Sequence, residues 1–358
     1  ALTYPQSSDA SDTLALDDPE VYKIFARGDT IGIFQFESMG MRDYLRRLVP
    51  ENFTDITVMN ALYRPGPLDS GMIDQYIDRK RGGKKSVYLH PVLEKILGDT
   101  YGVIVFQEQV LKIANEMAGY SLGKADLLRK AMGKKDAALM ADQKEAFNKG
   151  AAANKVTAEV SSEVFNQIET FARYGFNKAH ATCYALVAYH TAWLKRYYPH
   201  EFMAALMTSE MSDSDRIYIL LEECRRMGIA VLPPDVNESA VDFAVVDGKI
   251  RFGLLAVKNV GEGPATAIVK TREASGKYTD LAHLVSSLEP RLLNRRTLES
   301  LIAAGACDSL PARRSQKFKA VEPMLEFGHR VFEKHSTADL FAASGKTVER
   351  VAPTLPDL

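Results

Sequence analysis

Apolar positions recur at helical spacing through the first half of the chain. From residue 17 to about residue 199 the pattern reads mainly as helices with short Gly/Pro breaks, of which Pro65-Gly66-Pro67 and Arg81-Gly82-Gly83 are the clearest. Residues 184–197, rich in Ala, Leu, Val, Tyr and Trp, predict a buried helix that ends before Pro199, because the residue preceding a proline avoids the α region. A second helix, 216–227, stops at Gly228, which suits a left-handed C-cap. The period changes after Leu232-Pro233-Pro234. Residues 243–246 and 249–252 flank Asp247-Gly248, the signal of a β-hairpin with a type I′ turn. Helices are expected again from 264 to about 272 and from 291 to about 304. Residues 1–15, rich in Ser, Asp and Thr, predict a disordered lead-in, and the tail from Ala312 onward is mixed.

Composition narrows the class without naming a chemistry. The apolar and charged fractions of the 358 residues, 46% and 25%, are those of an ordinary soluble protein. No apolar run approaches the roughly 20 residues that cross a bilayer, so no membrane partner is expected. The start, Ala-Leu-Thr-Tyr-Pro, lacks the basic and apolar stretches of a signal peptide. Cys183, Cys224 and Cys307 lie far apart, which argues against a disulfide framework or zinc site and fits a reducing cytoplasm. The net charge of −1 does not favour nucleic acid as a sum, so clusters of Lys and Arg decide that question locally.

Four segments carry candidate chemistry. In Gly123–Lys135, Leu127, Leu128, Ala131 and Met132 give one buried face, while Arg129 stands beside Lys130, and Lys134 follows one turn later. Clustered cations suit a polyphosphate or a nucleic-acid backbone, although a solvated helix end would carry the same residues. In Tyr174-Gly-Phe-Asn-Lys-Ala-His180, Asn177 can cap a helix whose first turn holds Lys178 and His180. Cations there oppose the helix dipole, and a bound phosphate would supply the reason. In Tyr63-Arg64-Pro-Gly-Pro67 the prolines fix the backbone around Arg64, whether to present that side chain or only to turn a corner. The fourth segment, Val257-Lys258-Asn-Val-Gly261-Glu-Gly263-Pro-Ala-Thr266-Ala-Ile268, has the Gly-x-Gly-Pro frame of a helix-hairpin-helix, whose glycines let backbone N–H groups approach a phosphate. The surrounding Lys249, Lys258, Lys270, Arg272, Lys277, Arg291, Arg295 and Arg296 outnumber the acids; a structural αα-corner is the alternative. Asp213-Ser-Asp215 reads as a loop and helix cap, not a metal site.

These segments, in this order, resemble the bacterial DNA polymerase III alpha subunits of the C family. The resemblance is carried by Gly32-Ile-Phe-Gln-Phe-Glu-Ser, Tyr63-Arg-Pro-Gly-Pro-Leu, Thr100-Tyr-Gly-Val-Ile-Val-Phe-Gln-Glu-Gln and Ala118-Gly-Tyr-Ser-Leu-Gly-Lys-Ala-Asp. Arg129-Lys-Ala-Met-Gly-Lys-Lys, Tyr174-Gly-Phe-Asn-Lys-Ala-His, Glu201-Phe-Met-Ala-Ala and Leu232-Pro-Pro-Asp-Val-Asn extend it, so that it runs from about Leu16 to Phe341. It implies a mainly α chain: helical polymerase fingers at 16–228, a helix-hairpin-helix domain with a β-hairpin at 229–311, and a linker at 312–358. The implied chemistry is two-metal nucleotidyl transfer, with the fingers positioning the dNTP and covering the nascent pair. On that reading Arg64, Arg129, Lys130, Lys134, Lys178 and His180 face dNTP phosphates, and Lys258, Gly261, Gly263 and Thr266 face DNA. Gln107, Glu108 and Gln109 match the family but equally suit structural support. Leu340 and Phe341, in Thr337-Ala-Asp-Leu-Phe341, resemble the apolar anchors of a sliding-clamp peptide, with Thr337 where Gln is usual.

The family's metal-holding palm aspartates precede this region, and no such Asp-x-Asp occurs before Leu16. The chain alone is therefore expected to be inactive and to bind no Mg²⁺, which serves the intact polymerase. The expected partners are template-primer DNA, dNTP, a sliding clamp and other replicase subunits. A non-catalytic duplex DNA-binding module and an error-prone translesion paralogue are the alternatives.

Overall fold

Asp18 opens the first helix, α1 (Pro19–Arg27): its carboxylate accepts from Glu20 N at 2.8 Å, Pro19 occupies the first position, and Gly28 closes it at φ 66°. In the computed structural model, residues 14–134, 137–172, 174–338 and 352–356 are described. Most of the lead-in expected at 1–15 lies outside them. The chain folds as two compact units, residues 1–196 and 197–358.

The first unit continues with α2 (Met39–Leu48), α3 (Phe53–Leu62), α4 (Pro65–Asp69), α5 (Met72–Lys80) and α6 (Pro91–Leu97). It is completed by α7 (Gln107–Ala118), α8 (Leu122–Lys134), α9 (Ala137–Ala153), α10 (Ala158–Ala172) and α11 (Lys178–Tyr197). Helix α3 buries Ile56, Val58, Met59, Ala61 and Leu62 and so is enclosed on all sides. Its start is a capping box, with Asn52 and Asp55 exchanging side-chain-to-backbone bonds. Asp55 also accepts from Lys80 Nζ at 2.8 Å and Tyr76 Oη at 3.1 Å, and the Asp55 and Lys80 side chains are 2% and 3% exposed. Helices α6–α10 close over Leu93, Ile113, Met117, Leu128, Phe147 and Phe165. On α8, Leu128, Ala131 and Met132 are buried as expected, but Leu127 is exposed. Ala125 takes its place inside, because the stripe runs 125, 128, 131, 132 at helical spacing.

The second unit begins with α12 (Pro199–Ser209) and α13 (Ser214–Arg226). Asp213 caps α13 by accepting from Asp215 N and Arg216 N, the loop-and-cap role expected of Asp213-Ser-Asp215. Strands β1 (Val231–Leu232), β2 (Ala244–Val246) and β3 (Lys249–Arg251) form a sheet in the order β1-β3-β2. β1 runs parallel to β3, and β2 is antiparallel to it in the register Ala244↔Arg251, Val245↔Ile250, Val246↔Lys249. Asp247 and Gly248 have φ of 49° and 70°, the two positive values of the expected type I′ turn. Helix α12 packs on β2 and β3, which is why the first two helices of this unit group with the sheet and not with the helices before Pro199.

Beyond the sheet lie α14 (Glu262–Ser275), α15 (Leu281–Ser286), α16 (Arg295–Ala303), α17 (Arg314–Lys319) and α18 (Val321–Ala338). Within the stretch expected to be a linker, residues 314–319 and 321–338 form these last two helices. Ala320, Val321, Met324 and Phe327 recur on one helical face and join Leu254, Leu284 and Leu298 in the unit's core. Lys317 is fully buried, with its ammonium donating to Cys307 O and Leu310 O at 2.6 and 2.7 Å. Among the described residues no helix is long and apolar enough to cross a membrane.

Candidate nucleotide and nucleic-acid interfaces

In the first unit a short backbone pairing sets the geometry. Phe106 and Phe176 form a parallel bridge, and Gln107 N donates to Phe176 O at 2.9 Å. Gln109 holds the first partner: its side-chain oxygen accepts from Val105 N and Phe106 N at 2.8 and 2.9 Å, and its amide donates to Thr100 Oγ1 at 2.8 Å. Glu108 holds the second, accepting from Asn177 Nδ2 at 2.8 Å and Lys178 N at 2.9 Å. Asn177 Oδ1 in turn accepts from His180 N at 2.8 Å and caps α11 as expected. The Glu108 carboxylate thus sits at the start of α11 and takes up a backbone N–H of its first turn, while the Lys178 ammonium and the His180 ring are not bonded to it.

Arg64 is half-buried and donates to Ala61 O at 2.8 Å and Tyr174 O at 2.7 Å. Its guanidinium carbon lies 4.4 Å from the Phe176 ring centre, and burial pulls its pKa below the usual value. Gly66 completes this corner, since a Cβ there would meet the Tyr174 ring at 2.2 Å. Lys178 is exposed, with its ammonium 5.6 Å from the Phe106 ring centre. His180 stands between Phe176 and Tyr184, with ring centres 5.4 and 4.3 Å away, and Phe34 lies 5.3 Å beyond Tyr184. Arg64 and His180 are thus gathered around Phe176 at the start of α11, with Lys178 over its bridged partner Phe106. Arg129 and Lys130 form a separate cluster on α8, both bonded to Asp126, whose carboxyl they hold below its usual range, Arg129 more than Lys130. The side chain of Lys134 lies outside the described residues.

In the second unit Asn259, at φ 64°, turns the chain ahead of α14, whose N-cap is Gly261. Asn259 Nδ2 donates to Ser300 Oγ at 3.0 Å and its carbonyl accepts from Thr297 Oγ1 at 3.2 Å, so α16 braces the turn. Lys258, Gly261 and Gly263 are exposed and Thr266 is partly so. Neither glycine is crowded, the nearest atom to a built Cβ being Pro264 Cδ at 3.9 Å for Gly261 and Leu292 Cδ2 at 3.5 Å for Gly263. Several of the surrounding cations are engaged internally. Arg272 donates to Val236 O and Ser239 O, Lys277 pairs with Glu238, Arg291 with Glu289, and Arg295 with Glu299 and Glu322.

Residues 5–155 match the bacterial DNA polymerase III alpha subunit finger domain, and residues 228–317 match the helix-hairpin-helix motif. The chain is 46% identical over 355 residues to the DNA polymerase III subunit alpha of Pasteurella multocida, covering 96% of this chain and 31% of that protein. The Escherichia coli K12 subunit is 43% identical over 346 residues, 94% of this chain and 30% of that one. The Saccharopolyspora erythraea subunit is 48% identical over 301 residues, 83% and 25% respectively. This chain belongs to the bacterial DNA polymerase III alpha subunit family. It spans about three tenths of the length of the first two relatives.

In this polymerase III alpha family chain, the structure separates supports from exposed groups around the start of α11. Gln109 and Glu108 are supports, a choice that spacing left open. The aromatic row from Phe176 to Phe34 was not singled out in the sequence; its signal was the i, i+4 spacing of His180 and Tyr184, with Phe34 supplied from a turn far away in the chain. Lys195 reads as an ordinary C-terminal helix cation, yet it is buried and donates to Asp29 O and Ile31 O at 2.8 and 2.7 Å, fastening the turn that carries Phe34. Among the described residues no group of three or more His, Cys, Asp or Glu side chains could hold a metal ion. Leu340 and Phe341 lie outside the described residues.

Proposed function

We propose that this chain supplies a longer replicative polymerase with the surface that positions the incoming dNTP, and with a helix-hairpin-helix that grips duplex DNA. The observation that carries the first part is the start of α11, where Lys178 and His180 are exposed beside an aromatic row. A triphosphate would meet Lys178 and His180 there, with Arg129 and Lys130 as further cations and ring faces available for a base. Lys134 belongs to the same proposed surface by its place one turn after Lys130. Arg64 acts from behind, holding Tyr174 and Phe176 in place. No residue of the chain is assigned to the Mg²⁺ ions of the intact enzyme, and the chain alone positions substrates without transferring nucleotides.

In the second unit, Lys258, Gly261, Gly263 and Thr266 meet phosphates and not base edges, so binding is independent of sequence. Leu340 and Phe341 are read as anchors for a sliding clamp, which together with other replicase subunits would place this cytoplasmic chain in a replisome.

The dNTP reading is tested in the intact polymerase. Lys178→Ala and Arg129→Ala should each raise KM for dNTP or lower kcat by about tenfold, the scale of one charge-assisted contact, with template-primer affinity little changed. Unchanged dNTP kinetics with lost DNA affinity would move these residues to the template. The clamp reading is tested by calorimetric titration of the cognate clamp with a peptide of residues 330–346. Binding should be abolished when Leu340 and Phe341 are both Ala; identical heats from the two peptides would remove it.

A further inference from the structure

Residues 352–356, Ala-Pro-Thr-Leu-Pro, lie on the surface of the second unit. Ala352 and Leu355 pack against its core, beside Leu281, Ala282 and Ser286 of α15, Met324 and Phe327 of α18, and Pro311. A hydrogen bond fixes the far end: Gln316 Nε2 donates to Pro356 O at 2.9 Å. The other amide atom of Gln316, Oε1, accepts from Arg313 N at 2.9 Å, so the amide is oriented by a partner on each side. Thr354, between the anchors, is exposed.

The composition of the segment suits this seat. Pro353 and Pro356 fix their own φ, and each restricts the residue before it, Ala352 and Leu355, to extended conformations. An extended proline helix repeats every three residues, which puts Ala352 and Leu355, both packed on the core, on one face, with Pro353 lining the cavity beside them. Such a segment is ordered before it docks and loses little entropy on seating.

We propose that the face of α15 and α18 beside Pro311 is a receptor groove for an extended, proline-flanked segment, and that its occupant is residues 352–356 of the same chain. Docking there ties both flanks of residues 339–351 to the second unit, one through α18 and the other through the groove. This consequence bears on the proposed clamp anchors Leu340 and Phe341, which lie between the flanks. The groove itself does not rest on that reading, and a failed clamp titration leaves the measurements below untouched.

The test titrates a peptide of residues 350–358 calorimetrically into the full chain and its variants. In the wild type the groove is filled from within, so the free peptide must compete with a tethered copy. Leu355→Glu releases the tethered copy and should raise peptide affinity at least about tenfold. Adding Ala282→Arg, which places a long cation on the groove wall, should abolish binding to the Leu355→Glu chain. Should circular dichroism show that Leu355→Glu has unfolded, Gln316→Ala replaces it, with an expected gain of about threefold from one lost hydrogen bond. Equal affinity for wild type and released chain, or binding that survives Ala282→Arg, would overturn the groove. Sedimentation should give the mass of one chain. A dimer that Leu355→Glu dissociates would hand the groove to a second copy and overturn the intramolecular occupant.

Discussion

Gly261 and Gly263 are not demanded by the fold around them. Gly261 has φ −84° and ψ 173°, ordinary for any residue, and a Cβ at either position meets only van der Waals neighbours. On the proposed DNA-binding reading their use lies outside the protein, where a phosphate would approach backbone N–H groups. That makes a clean prediction. Gly263→Ala sits in the first turn of α14 and should leave the unfolding free energy unchanged or raise it by up to about 1 kcal/mol. It should nevertheless weaken duplex binding by about 1 kcal/mol, roughly fivefold, and equally on unrelated sequences. Urea unfolding and fluorescence anisotropy on two duplexes measure both; a stabilised variant that binds like wild type would return the glycine to a merely structural role. The turn into α14 was legible in the sequence because a Gly-x-Gly-Pro frame marks a helix start. The role of Arg64 was not, since its acceptor at Tyr174 is 110 residues away in the chain and only the fold brings them together.

At the scale of elements, local chemistry carried far. The Asp247-Gly248 turn, the Asn177 cap and the Asp213 cap were each legible because a few adjacent residues determine them. The helices after Ala312 were missed because their cations obscured the apolar stripe, and Lys317 in particular looks solvated until its two carbonyl acceptors are seen. The joint between α3 and α5 was equally hidden, since Asp55 and Lys80 resemble surface charges. Burial works against the Lys80 ammonium, but Asp55 and then Glu51 outweigh it, and the group titrates above its usual value. Lys80→Met leaves the buried Asp55 carboxylate without its cation and should destabilise the first unit by about 3 kcal/mol near neutral pH. A lysine raised in the fold contributes stability that is complete below its unfolded value, about 10.4, and is lost as pH rises through the higher folded value. The gap between wild type and variant should therefore hold from pH 7 to about 10 and narrow above that, as followed by urea unfolding. A gap that is absent at pH 7 would show that Tyr76 and the backbone N–H groups suffice for Asp55.

For the whole molecule, the net charge of −1 poses the question of how the proposed grip on duplex DNA would work without a cationic excess. The eight basic residues counted around the hairpin are sorted by the fold. Arg272 is engaged with carbonyls, and Lys277, Arg291 and Arg295 with acids, which leaves Lys249, Lys258, Lys270 and Arg296 of the eight exposed and, among the described residues, outside any ion pair. Lys258 and Arg296 precede Asn259 and Thr297, the two residues that bond to each other across the turn, so they flank the hairpin directly. Lys270 lies further along α14, and Lys249 on the sheet. Each phosphate neutralised on duplex DNA releases counterions and adds about −0.9 to the slope of log affinity against log salt. If all the basic residues counted in the sequence reached phosphates the slope would be about −7, whereas Lys258, Arg296 and one further exposed cation give about −3. The full chain on a short duplex should therefore show the shallower slope between roughly 50 and 200 mM salt, with Lys258→Ala or Arg296→Ala lowering its magnitude by about 1. A slope near −7 would mean that Arg291, Arg295 and Lys277 leave their acids on binding, so that the duplex competes with the unit's own ion pairs. A slope near zero would end the case for phosphate contact at this hairpin.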